Sequence, residues 1–70
     1  MSEVAQLRRK IELECEAMRL ALYGYAAVAS HEVIEQRYTA LGKHREALEH
    51  LVGKEEANII VIEIYTRVVG

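Results

Sequence analysis

Along the first part of this 70-residue chain, apolar side chains recur at Val4, Leu7, Ile11, Cys15, Met18, Leu22, Tyr25 and Ala29. Steps of three and four hold these positions on one face of a 3.6-residue helix. Ser2 can cap that helix, and Glu3 places a negative charge at its positive end. The spacing predicts a helix over about 3–28. The same stretch carries a second apolar row, Leu13, Ala17 and Leu20, with Ala21, Gly24 and Val28 beside it. A surface helix normally shows one apolar row, so the second row asks for a further partner. The small side chains of Ala17, Ala21 and Gly24 leave room for another backbone, while Arg8, Arg9, Lys10, Glu12 and Glu16 solvate the N-terminal half.

Ser30-His31-Glu32 is suited to start a new helix, with Ser30 as cap and Glu32 complementing the dipole. Val33, Ile34, Leu41, Leu48, Leu51 and Val52 then gather on one side, and Glu35, Thr39, Lys43, Glu46 and His50 on the other. The phase survives Gly42, so the spacing predicts one helix over 31–52. Gly53 stops it by adopting the left-handed conformation at little steric cost. The short connection forces antiparallel packing on the first helix. From Lys54 onward the density of β-branched residues favours a strand. Against this, Glu55-Glu56 suits a helix N-terminus, and Ala57, Ile60, Val61, Ile64 and Val68 hold one helical face. Glu63 and Arg67 also stand at the i, i+4 spacing of a helical ion pair. A lone strand would leave both edges unpaired unless a second chain covered them. The segment is therefore read as a helix over 55–69, with an intermolecular strand as the alternative. In either case Ile59 and Ile62 fall outside the main face.

Composition turns this pattern into a question of assembly. Half of the chain is hydrophobic (51%), yet it has no Phe, Trp or Pro. A single domain of this size, here residues 1–70, buries only about 60% of the surface its unfolded chain exposes. Such domains usually need disulfides, a metal or self-association. The single cysteine, Cys15, excludes an internal disulfide framework and a Cys-rich zinc site. The expected fold is all-α: a three-helix antiparallel bundle, or a hairpin plus a C-terminal helix, completed by homo-oligomerisation. A dimer is favoured, with Leu13, Leu20, Ile59 and Ile62 at the interface.

Nine Lys and Arg against eleven Asp and Glu give a net charge of −2, whereas non-specific nucleic-acid binding relies on a basic surface. No nucleic-acid partner is expected. Met1–Gln6 has no basic flank leading into an apolar run, so no secretory signal is read there. The run Ile59-Ile60-Val61-Ile62 is far short of the roughly 20 residues that cross a bilayer. The expectation is a cytoplasmic protein without a membrane partner.

The candidate chemistry is sparse. His31 with Glu35, and Glu46 with His50, have the i, i+4 spacing of paired metal ligands, but neither pair has a third ligand and no HExxH or Cys/His cluster occurs. They read as ordinary solvated pairs, and no metal or other cofactor is expected. Arg37 and His44 project toward the apolar side of the second helix, beside Ala40, Leu41, Leu48 and Leu51. Polar groups there need partners, and Glu14 or Glu63 could accept from either across a helix or subunit boundary. These four residues form a candidate polar node of the kind that specifies register. Cys15 reads as a core thiol whose acidic neighbours Glu12, Glu14 and Glu16 raise its pKa and argue against a nucleophile. Tyr25, Tyr38 and Tyr65 read as core-edge residues with the hydroxyl in water, and Tyr23 faces the more polar side. Arg8-Arg9-Lys10, followed by Glu12, Glu14 and Glu16, reads as a salt-bridged surface. With no glycine-rich phosphate loop, no Ser-His-Asp order and no paired catalytic carboxylates, no catalytic residue and no enzyme activity is expected.

The stretches Glu3-Val4-Ala5-Gln6-Leu7-Arg8-Arg9-Lys10-Ile11-Glu12 and Leu51-Val52-Gly53-Lys54-Glu55-Glu56-Ala57 resemble a group of short uncharacterised bacterial helical proteins. That resemblance covers about a quarter of the chain; it implies an all-helical chain and no particular activity. The leading expectation for function is an interaction or scaffold module that binds itself or another helical protein. The competing one is a small-molecule or metal-binding protein with a pocket between subunits, lined by Arg37, His44 and Tyr38. A helix-turn-helix ranks third, because the chain lacks a basic recognition helix. Neutralisation of Arg37 and His44 by a carboxylate would favour the first, and an open polar cavity the second.

Overall fold

The computed structural model describes residues 2–23 and 31–70. They form three helices, α1 (Glu3–Tyr23), α2 (His31–Val52) and α3 (Lys54–Val68), and no strand is present among the described residues. The expected extension of the first helix to residue 28, Tyr25 and the Ser30 cap lie outside the described residues, as do the side chains of His31 and Val33. The third segment is helical despite its β-branched content. Its 3.6-residue apolar period finds a complementary surface on the other two helices, and burial outweighs intrinsic propensity.

The helix ends follow from single residues. At the start of α1 the Ser2 hydroxyl accepts a hydrogen bond from the Ala5 N–H at 3.1 Å, and the Ser2 carbonyl accepts from the Gln6 N–H at 3.0 Å. Gly53 alone joins α2 to α3. Its N–H donates to the Glu49 carbonyl at 3.0 Å, closing α2, and its carbonyl accepts from the Ala57 N–H at 3.0 Å, opening α3. The expected left-handed helical cap is not what it adopts: φ is 91° and ψ 164°. That extended, positive-φ region is essentially restricted to glycine. It reverses the chain in one residue and ends α2 as sharply as the left-handed cap would.

Each helix packs on the other two. The core consists of Ile11, Cys15 and Met18 from α1, Leu41 and Leu48 from α2, and Ala57, Ile60 and Ile64 from α3, closed by Val69. Val4, Leu7, Val52, Val61, Tyr65 and Val68 pack around it, half-buried. Each fully buried Ile, Leu or Met contributes on the order of 1.5–3 kcal/mol, and the core is built from such medium-sized side chains.

Leu22 and Leu51 depart from the expected pattern. Both lie on apolar faces, yet they are 45% and 44% exposed. Helix length explains Leu22. At about 1.5 Å per residue, α1 and α2 run about 31 and 33 Å, but α3 runs only about 22 Å, in a bundle measuring 37 × 21 × 20 Å. Because α3 starts directly at the Gly53 reversal, its shortfall falls entirely at the opposite end, where Leu22 sits. Leu51 lies at the other end, on the rim of a groove between α1 and α2. No helix among the described residues is long and apolar enough to cross a membrane.

Candidate functional site

Of the four residues of the expected polar node, the structure joins two. The Arg37 guanidinium donates to Glu14 Oε1 at 3.1 Å, tying α2 to α1. Glu14 is largely covered and Arg37 remains about half in solvent, so the ion pair sits at the edge of the core. His44 is half-buried and takes no part. No buried side-chain nitrogen or oxygen among the described residues lacks a partner. Glu63 is exposed and joins neither Arg37 nor His44.

The anticipated i, i+4 pair between Glu63 and Arg67 is also replaced. Arg67 donates instead to Glu12 Oε2 at 3.3 Å, across to α1, while Arg9 donates to Glu12 Oε1 at 2.8 Å. Glu12 thus accepts from two guanidinium groups, one oxygen to each, and links α3 to α1. The bridge to Arg9 bears out the salt-bridged surface expected after Arg8-Arg9-Lys10. Sequence periodicity did not reveal the contact with Arg67, since it depends on how α3 is rotated against α1.

A second contact missed in the sequence joins α2 and α3. The hydroxyls of Tyr38 and Tyr65 stand 3.4 Å apart. Tyr65 is pushed above the ordinary phenol value, first by this hydrogen bond and then by burial, with smaller contributions from the charges of Tyr38, Tyr23 and Cys15. A neutral Tyr65 can donate the bond and a phenolate cannot. Cys15 is buried as expected. Burial first, and then Glu14, push its thiol above the ordinary value, so it stays protonated and has little nucleophilic character.

Among the described residues, grooves lie between α1 and α2 and between α2 and α3. One, of about 350 Å³, is lined by Glu3, Leu7, Lys10, Ala47, His50 and Leu51 among others. The other, of about 250 Å³, is lined by Tyr38, Leu41, Gly42, Arg45 and Val61. Neither brings Arg37 and His44 together. Among the described residues no group of three His, Cys, Asp or Glu side chains is placed to hold a metal ion.

The remaining candidates are apolar. Leu13 and Leu20 are 46% and 63% exposed, Ile59 and Ile62 56% and 63%. At 100° per residue, Leu13 and Leu20 point away from the face of α1 that carries Ile11, Cys15 and Met18. Ile59 and Ile62 likewise point away from the face of α3 that carries Ala57, Ile60 and Ile64. Since α1 and α3 are two of three mutually packed helices, their outer faces look in different directions. The four residues therefore make two separate patches. No family model matches the chain, and neither a curated protein nor a solved structure matches it, so the residues themselves carry the reading of function.

Proposed function

We propose that this chain is a self-associating helical module whose function is to make contacts, with homodimer formation as its basic step. The observation that carries the reading is the set of large apolar side chains turned outward in helical rows, Leu13 with Leu20 and Ile59 with Ile62, each about half or more exposed. Single exposed apolar residues are common on protein surfaces and need no explanation. Rows at helical spacing on two helices of so small a domain are a different matter, because a core of this size gains much from a second copy. The Glu14–Arg37 ion pair supports the same reading against a pocket between subunits, since the strongest cation of such a pocket already has its carboxylate.

Sedimentation equilibrium of the intact chain from micromolar to millimolar concentration tests the proposal. The expected result is a mass that rises from one chain toward two as concentration increases. A well-folded monomer throughout that range would overturn it.

A further inference from the structure

We propose that Gly53 is a hinge through which two copies of this chain exchange α3. In the closed form Gly53 turns α3 back along its own α2. In the open form α2 and α3 run on as one helix, and each α3 takes, in the second copy, the place it has left in its own. Exchange uses the joint and the buried contacts, and not the outward rows of α1 and α3.

The joint is one residue away from being helical. In a continuous helix five backbone bonds from residue i to residue i−4 would cross it. Two of these are already made, from the Gly53 N–H to the Glu49 carbonyl and from the Ala57 N–H to the Gly53 carbonyl, both at 3.0 Å. The three between them are missing, so the N–H groups of Lys54, Glu55 and Glu56 and the carbonyls of His50, Leu51 and Val52 have no helical partner. No side chain caps α3. From Glu49 to Ala57 the chain has no Pro, Ser, Thr, Asn or Asp, and only Gly53 disfavours a helix interior. A Cβ at Gly53 would meet nothing within 4 Å. Glycine is needed there for the backbone alone, φ 91° and ψ 164°, a region that other residues enter only under strain.

One helix over 31–68 is about 57 Å long, well beyond the 37 Å long axis of the closed bundle. An open chain therefore cannot lay Ala57, Ile60 and Ile64 on its own Ile11, Met18 and Leu48. A second open copy restores that packing. Two such helices, antiparallel about a two-fold axis at Gly53, set each α2 beside the other copy's α3 in the direction the hairpin already has. The buried contacts of the core, the Arg67–Glu12 bridge and the Tyr38–Tyr65 contact are all remade between copies, and the three missing backbone bonds are gained. Association costs freedom of motion, and Glu55 and Glu56 favour the helix start that exists only in the closed form. The hairpin thus prevails in dilute solution and exchange is favoured at high concentration. Short hinges under strain are where such exchange is easiest.

The chirality of residue 53 tests the hinge, in chains of 70 residues made by chemical synthesis. Every chain also carries Leu20→Glu and Ile62→Glu, both at mostly exposed positions, so that a dimer built on the outward rows is disabled and failure of the self-association reading is not mistaken for failure of exchange. Gly53→Ala in the L configuration is strained in the hairpin and suits the continuous helix; in the D configuration it suits positive φ and opposes a right-handed helix. By sedimentation equilibrium the L variant is expected to dimerise at least about tenfold more tightly than the chain with glycine, since two hinges are relieved per dimer, with a helical circular-dichroism signal no weaker. The D variant is expected to remain a folded monomer at the same concentrations. Three glycines inserted after residue 53 of the L variant are expected to restore the monomer, because a longer joint closes without strain. An L variant that is a folded monomer, an L variant that is unfolded at every concentration while the D variant folds, or L and D variants that dimerise alike would each overturn the exchange.

Discussion

Met18 and Leu22 lie on the same face of α1, one turn apart. Met18 is fully buried, whereas Leu22 is 45% exposed. The helix does not change character between them. What changes is the surroundings: Met18 belongs to the core cluster that all three helices share, and Leu22 lies outside it, toward the end where α3 is the shortest helix. Among the described residues, the side chains of Ile11, Cys15, Leu48, Ile60 and Ile64 are buried together between the three helices. Leu22 and Tyr23, which close α1 among the described residues, lie outside that cluster and are exposed. Amphipathic spacing sets the direction in which a side chain points. Whether anything lies in that direction is decided by the length of a different helix.

The strongest way to break this comparison is to shorten both side chains in separate proteins. Met18→Ala empties a closed site and should cost about 2–5 kcal/mol. Leu22→Ala removes atoms that are nearly half in water and replaces them with the best helix former, so it should cost less than about 1 kcal/mol. Urea unfolding followed by circular dichroism, at one protein concentration, measures both. Equal losses would mean that Leu22 is as well covered as Met18, and the explanation from helix length would fail.

The same distinction sorts what was legible in the sequence. The period in Ala57, Ile60 and Ile64 placed α3 as a helix to within a residue or so at each end, against the pull of its β-branched composition. Ile11, Cys15 and Met18 were legible as core for the same reason. Leu22 and Leu51 had the right phase and the wrong surroundings. Glu14 with Arg37 was legible as one of several possible pairings, because both residues lie at the edges of apolar faces. Glu12 with Arg67, and Tyr38 with Tyr65, were not, because each depends on the rotation and height of one helix against another. The outward rows Leu13 with Leu20 and Ile59 with Ile62 were legible as surplus apolar surface. That they form two patches on different sides emerged only from the packing.

The surroundings of the core are not uniformly filled, and Gly42 marks the gap. It lies inside α2 and lines the groove between α2 and α3 with Tyr38 and Val61. A methyl group placed there would meet nothing within 4 Å. Because glycine within a helix is less favourable than alanine by about 0.5–1 kcal/mol, Gly42→Ala should stabilise the protein by about that amount, read as a higher urea midpoint with an unchanged slope. A loss of stability would show that the groove closes in solution, and would extend full coverage to the α2–α3 side.

The smallest expected effect lies on the boundary between the two regions, at Tyr38 and Tyr65. Their hydroxyls, 3.4 Å apart, tie α2 to the last turns of α3. In the folded protein Tyr65 titrates above its ordinary value of 10.0, so folding favours its neutral form. The stability this contributes is fully present below the unfolded value and is lost as pH rises through the higher folded one. Unfolding free energy should therefore decline as pH climbs past about 10. Tyr38→Phe removes the acceptor; the Tyr65 transition followed by ultraviolet absorbance should move down toward the ordinary phenol range, at a cost near neutral pH of no more than about 0.5 kcal/mol. The variant should also lose part of the alkaline decline, since one of its causes has been removed. If Tyr65 titrates identically with and without the Tyr38 hydroxyl, the two side chains do not meet in solution. The upper end of α3 would then be held by the packing of Val68 and Val69 and by the Arg67–Glu12 bridge, without a polar tie to α2.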